Sequence, residues 1–172
     1  MPAPARLHHH AYVVRDLRAT RHFYEDLLQM PLVATWTEVD ELVGMDNPYC
    51  HAFFELADGG ALAFFQFAKE EDHERLAPNG RPTPFVHVAL KVDDDTQAEA
   101  RRRLEADGVG TLTIDHGYCV SLYANDPDGL MIELTRDHAD AAAIDRTRRA
   151  SATADLERWL GGDHTSNNTW RD

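Results

Sequence analysis

The residues of this chain best suited to chemistry are its histidines and one carboxylate inside an apolar run. Histidines stand in a row in "HHHA" (8–11), His87 opens "HVALKVDD" (87–94), and Glu133 lies within "LMIELT" (130–135). Imidazoles and carboxylates are the donors a divalent metal takes, and imidazoles also move protons near neutral pH. A row of three histidines leaves open which of them does chemistry. The elements that carry them decide it.

"HHAYVVRD" (9–16) and "HVALKVDD" (87–94) both read His-x-Ala-x-x-Val-x-Asp. Each leads into a helical pattern, 17–28 with Phe23, Leu27 and Leu28, and 95–106 with Ala98 and Leu104. Asp16 and either Asp94 or Asp95 stand where N-caps belong, and Gly108 where a helix stops. Strand-like runs follow at 32–39, 51–57 and 61–68 around the turn "DGG", then at 109–115, 118–125 and 129–135 around the turn "DPDG". The expected fold is α+β: two βαβββ modules, 6–68 and 85–137, in one domain spanning 6–137. A polar, Pro-containing linker (69–84) joins them, and a helical extension and tail (138–172) follow. In that extension "SATADLERWLGG" (151–162) reads as a capped helix. Its Leu156, Trp159 and Leu160 form a stripe expected to pack on the same chain or on a dimer mate. The last ten residues are expected to be a loose tail, with a flap packed by Trp170 as the alternative.

Strand alternation selects one histidine of the three. In 87–92 the apolar face is Val88, Leu90 and Val92, so His87 and Ala89 point the other way. By the same rule His10, Tyr12 and Val14 turn to the helix, while His9, Ala11 and Val13 share the face of His87. His8 and His10 are left to strand packing or the surface. Glu133, between Ile132 and Leu134, needs a partner to be buried, either a metal ion or a salt bridge. Its expected repeat mate is Gln66 in "AFFQFA" (63–68). Two modules facing each other would close a cavity lined by His9, His87, Glu133 and Gln66.

Bulk properties exclude several classes. With 17 basic against 30 acidic residues the net charge is −13, which disfavours nucleic acid as a partner. No apolar run reaches the roughly 18–20 residues of a membrane span, and "MPAPARL" lacks a secretory pattern. Two cysteines are too few for a disulfide framework, so a protein of the reduced cytoplasm is expected. The stretch "EARRRLEADG" (99–108) reads as a solvated, ion-paired helix face.

Across roughly 6–137 these motifs, with "YANDPDGLMIEL" (123–134), resemble the vicinal oxygen chelate superfamily of glyoxalases, bleomycin resistance proteins and type I extradiol dioxygenases. One departure is Gln29 in "LLQMPL", where many members carry glycine. The resemblance implies a half-open barrel around a divalent metal held by His9, His87 and Glu133. Such a triad suits Fe(II) and oxygen chemistry, with Mn(II), Zn(II) or Ni(II) as other occupants. As in extradiol enzymes, Tyr123 stands ten residues before Glu133, and "NPYCH" (47–51) places His51 similarly. "DHGYCVSLY" (115–123) adds His116.

The expected activity is ring cleavage of a catechol-like aromatic compound by O₂, in aromatic catabolism, by a homodimer. His51 would handle protons, and Tyr123 would bind or deprotonate a substrate hydroxyl. Each residue has a plainer alternative: Tyr123 in the core, His51 structural, His116 in an exposed turn, Gln66 in a polar wall. Two other functions stay open, a glyoxalase-type lyase or isomerase with Gln66 as fourth ligand, and an antibiotic-binding resistance protein. Tyr24, Trp36, Phe53 and Phe64 are expected to line a pocket of any of these, shaped by loops 40–50 and 69–84.

Overall fold

Both halves of the chain fold as βαβββ in a computed structural model that describes residues 5–39, 47–77, 83 and 85–170. Most of the expected loop 40–50 and part of the linker 69–84 lie outside the described residues. The chain divides into two units, one of residues up to Pro84 together with Asn125–Leu130, the other of Phe85–Ala124 with Met131 onward.

The first unit runs β1 (His9–Val13), α1 (Leu17–Arg21) with a π-helical continuation (His22–Leu27), β2 (Leu32–Glu38), β3 (Tyr49–Glu55), β4 (Ala61–Phe67) and α2 (Glu70–Leu76). Its sheet has the order β1-β4-β3-β2, with β1 parallel to β4 and the other pairs antiparallel. Asp16 caps α1 by accepting from the Arg18 amide at 2.8 Å. Val14, Phe23, Tyr24, Leu27, Leu62 and Phe64 form the core. Gln29 takes the conformation glycine would take, with φ +60°, and its Nε2 donates to the Asp26 carbonyl at 2.8 Å. The turn therefore survives the substitution at the cost of a strained residue. The helix α2 lies inside the stretch read as a linker. "EEDHERL" has no apolar period to announce it, and three acidic residues in its first turn favour the helix end.

The second unit repeats the order: β5 (His87–Lys91), α3 (Asp94–Ala106), β6 (Thr111–Asp115), β7 (Cys119–Asn125) and β8 (Met131–Asp137), then α4 (Ala141–Leu160). Its sheet runs β5-β8-β7-β6, the counterpart of the first. The cap of α3 is Asp93, not Asp94 or Asp95, and it accepts from the Thr96 amide at 2.8 Å. Gly108, at φ +81°, follows the end of that helix as expected. Among the described residues of this unit, Ala100, Leu104, Leu122, Ala124, Ile132, Leu134 and Ile144 are the buried apolar ones.

The C-terminal helix begins ten residues before the expected start, because alanine and arginine favour helix even where no apolar stripe marks it. Ser151 is therefore inside the helix and does not cap it. Leu156, Trp159 and Leu160 are 56%, 55% and 68% exposed, so the described residues leave them largely uncovered, with the His164 ring 4.1 Å from that of Trp159. The segment after α4 folds back on it: Arg148 donates to the Asn167 carbonyl at 2.5 Å, and its guanidinium lies 4.3 Å from the Trp170 ring. No helix among the described residues is long and apolar enough to cross a membrane.

Candidate metal centre

In the second unit, β5 and β8 run parallel with Ala89 paired to Glu133, so His87, Ala89, Met131, Glu133 and Thr135 share one face. Glu133 is 7% exposed. Its Oε2 lies 2.9 Å from His87 Nε2, and its Oε1 accepts from Ser121 Oγ at 2.5 Å. The polar partner that burial of this carboxylate called for is thus His87, which makes an ion pair when its imidazole is protonated. An imidazole nitrogen beside a carboxylate oxygen is also a donor pair that fits a divalent metal. Among the described residues no three His, Cys, Asp or Glu side chains group closely enough to hold a metal.

Next to Glu133 on the neighbouring strand, Ser121 and Tyr123 occupy one face, and Leu122 is buried on the other. The Tyr123 hydroxyl and His116 Nε2 share a hydrogen bond of 2.8 Å. Burial raises the Tyr123 pKa and the Glu133 charge adds to it, while the Ser121 hydroxyl pulls it down. The phenol is therefore a proton donor at neutral pH, better suited to binding a substrate oxygen than to deprotonating it. His116 sits in the turn after β6, where its amide donates to the Cys119 carbonyl at 2.9 Å. Alternation places Ser121 on the face of Tyr123, but nothing in the sequence marks it as the partner of Glu133.

In the first unit, His9 turns to the face of Phe53 and His51, with ring centroids 5.4 and 6.2 Å away. His9 Nδ1 lies 2.8 Å from His8 Nδ1, which leaves Nε2 for another partner. His10 stacks on Tyr12 at 4.5 Å, on the side of the buried Phe64, as alternation requires. His51 stacks on Phe65 at 3.6 Å, and its Nε2 is buried with no hydrogen-bond partner among the described residues. Burial, helped by the charge of His9, pulls the His51 pKa down and keeps the ring neutral.

Gln66 is not the counterpart of Glu133. His9 pairs with Ala61 as His87 pairs with Met131, so two residues further along each strand Ala63 corresponds to Glu133. Ala63 is 0% exposed. Gln66 lies on the opposite face from His9, with Phe64, and its Oε1 accepts from the Leu17 amide at 2.7 Å at the start of α1. The flanking phenylalanines suggested a match that strand pairing does not support. Tyr24 and Phe64 are fully buried core residues, whereas Phe53 and Trp36 share the His51 face. The buried Asp126, read only as part of a turn, accepts from Tyr24 Oη at 2.9 Å, and burial raises its pKa.

Comparison with known proteins places this fold. The family model of the Glyoxalase/Bleomycin resistance protein/Dioxygenase superfamily matches residues 6–134. None of the curated proteins matches at a significant level. Among solved structures, a glyoxylase/bleomycin resistance protein/dioxygenase domain from Frankia sp. EAN1pec is 16% identical with a TM-score of 0.60, over 79% of this chain and 100% of that one. The fosfomycin resistance protein FosX from Listeria monocytogenes, complexed with Mn(II) and sulfate ion, is 18% identical with a TM-score of 0.57, over 82% and 99%. A glyoxalase/dioxygenase from Nostoc punctiforme is 27% identical with a TM-score of 0.56, over 80% and 97%. The chain therefore belongs to the glyoxalase/bleomycin resistance protein/dioxygenase superfamily, the vicinal oxygen chelate proteins.

Proposed function

We propose that this protein is a metal-dependent dioxygenase that opens a catechol-like aromatic ring with O₂, acting as a homodimer. The observation that carries the reading is Ala63 at the position equivalent to Glu133. With alanine there in place of a fourth ligand of the glyoxalase type, it supports the donor set of His9, His87 and Glu133 that the family resemblance implies. Bound there, a divalent metal, Fe(II) foremost, supplies the Lewis acidity and redox chemistry that ring opening by O₂ requires.

The protein's own groups do the rest. Tyr123, a protonated phenol bonded to His116, binds a substrate hydroxyl. The neutral His51, with its Nε2 unpartnered among the described residues, takes up or returns a proton. Phe53, Phe65 and Trp36 on the His51 side suit a flat aromatic ligand. The test is anaerobic purification, loading with Fe(II) and exposure to a panel of catechols. The expected result is O₂ uptake with a yellow ring-opened product. Intact iron without O₂ uptake across the panel would reject this reaction.

A further inference from the structure

We propose that the C-terminal segment 163–170 positions the Tyr123–His116 pair, with Asn168 as the positioning residue that holds the turn carrying His116. This rests on the reading of that pair as the groups that bind a substrate hydroxyl.

The turn between β6 and β7 is held by short local hydrogen bonds and by the His138 amide, which donates to the Tyr118 carbonyl at 3.3 Å. The His116 amide donates to the Cys119 carbonyl at 2.9 Å, and the Gly117 amide to Asp115 Oδ1 at 2.7 Å. Gly117, at φ +79°, gives the backbone freedom that other residues would deny it. A turn at a strand end opens locally far more readily than the sheet it joins. The His116 carbonyl is instead held from outside the hairpin, accepting from Asn168 Nδ2 at 3.0 Å.

Asn168 is itself anchored. Its Oδ1 accepts from the Trp170 amide at 3.3 Å, and Trp170 lies 4.3 Å from the Arg148 guanidinium. Arg148 also donates to the Asn167 carbonyl at 2.5 Å and pairs with Asp155 at 3.7 Å. A second arginine of α4, Arg158, donates to the Thr165 carbonyl at 2.9 Å. Contacts thus run from α4 through the tail to the His116 backbone, and His116 Nε2 is the atom that meets Tyr123. A misplacement of about 1 Å in a group that orients substrate can cost ~10²-fold in rate, so a small anchor has a measurable effect.

Asn168→Asp separates positioning from general packing. Aspartate keeps the acceptor for the Trp170 amide and loses the donor to the His116 carbonyl. In full-length, metal-free protein with ¹⁵N-labelled histidine, the His116 ring signals should shift or broaden in Asn168→Asp and in Arg148→Met, while those of His87 stay in place. Amide exchange at 116–118 should accelerate by about tenfold or more as the turn opens. With Fe(II) and catechol as the probe, kcat should fall by roughly tenfold while KM stays within about twofold of its original value. Unchanged His116 signals in both variants would overturn the proposal, and so would shifted signals with unchanged kcat. The ring signals need neither metal nor substrate, so absence of O₂ uptake by the unmodified protein would count against the dioxygenase reading alone.

Discussion

In the first module the residue two places beyond the partner of His9 is Ala63, and in the second the residue two places beyond the partner of His87 is Glu133. The strand order and parallel pairing around these positions are the same. The face of His9 is otherwise aromatic, with Phe53, Phe65 and His51 stacked together. The face of His87 holds a buried carboxylate supported by the Ser121 hydroxyl and an imidazole. A repeated scaffold can thus keep its backbone pairing and divide its chemistry, because strand faces vary without disturbing the ladder. Burying Glu133 demands polar company, and the second module supplies it.

That division can be broken most severely at the proposed metal donors. His87→Ala, Glu133→Ala and His9→Ala should each abolish Fe(II) uptake and turnover together, read by metal analysis and O₂ consumption. Iron retained after loss of Glu133 would remove it from the ligand set. Tyr123→Phe and His51→Ala should keep the metal and slow the reaction by ~10²–10⁴-fold, the range for lost acid–base groups. A loss of iron in either would show that the groups support the metal instead. Ser121→Ala leaves a buried carboxylate oxygen without its donor and should cost about 1–3 kcal/mol in denaturant unfolding.

The first module offers the contrasting substitution. Gln66→Leu should leave metal content unchanged and lower stability by ~1 kcal/mol, the usual value of a helix N-terminal partner. Metal-free Gln66→Leu protein would revive the four-ligand alternative. The smallest effect, with the opposite sign, is expected at Gln29→Gly. Relief of the left-handed backbone, worth ~1–2 kcal/mol, outweighs the loss of the exposed side-chain hydrogen bonds to the Glu25 and Asp26 carbonyls and some chain entropy. Thermal unfolding should move up by a few degrees, at about 2–4 °C per kcal/mol for a chain near this size.

Much of this was legible in the residues. Period-two alternation singled out His9 and His87, because a strand forces neighbouring side chains to opposite faces. The apolar neighbours of Glu133 announced its burial, since a carboxylate there must be paired. Gln66 misled because the offset between β4 and β1 is a property of strand pairing that no local pattern records. Tyr24 and Asp126 meet across 102 positions, and neither carries a mark of the other. Ser121 and Asn168 are small polar residues whose roles come from their neighbours alone. The early start of α4 was hidden because its first half buries only Ile144.

Leu156, Trp159 and Leu160 on α4 have a consequence for the colloidal behaviour of the protein. At net charge −13, copies in dilute buffer repel one another across a screening length of about 30 Å at 0.01 M salt. Near 1 M that length falls to about 3 Å, and the repulsion no longer spans the gap between molecules. The short-ranged attraction of the apolar stripe then prevails, so cohesion between molecules should grow as salt is added, opposite to the response of an association built on ion pairs. Light scattering along a salt gradient should rise for the native chain and stay flat once the stripe carries glutamate.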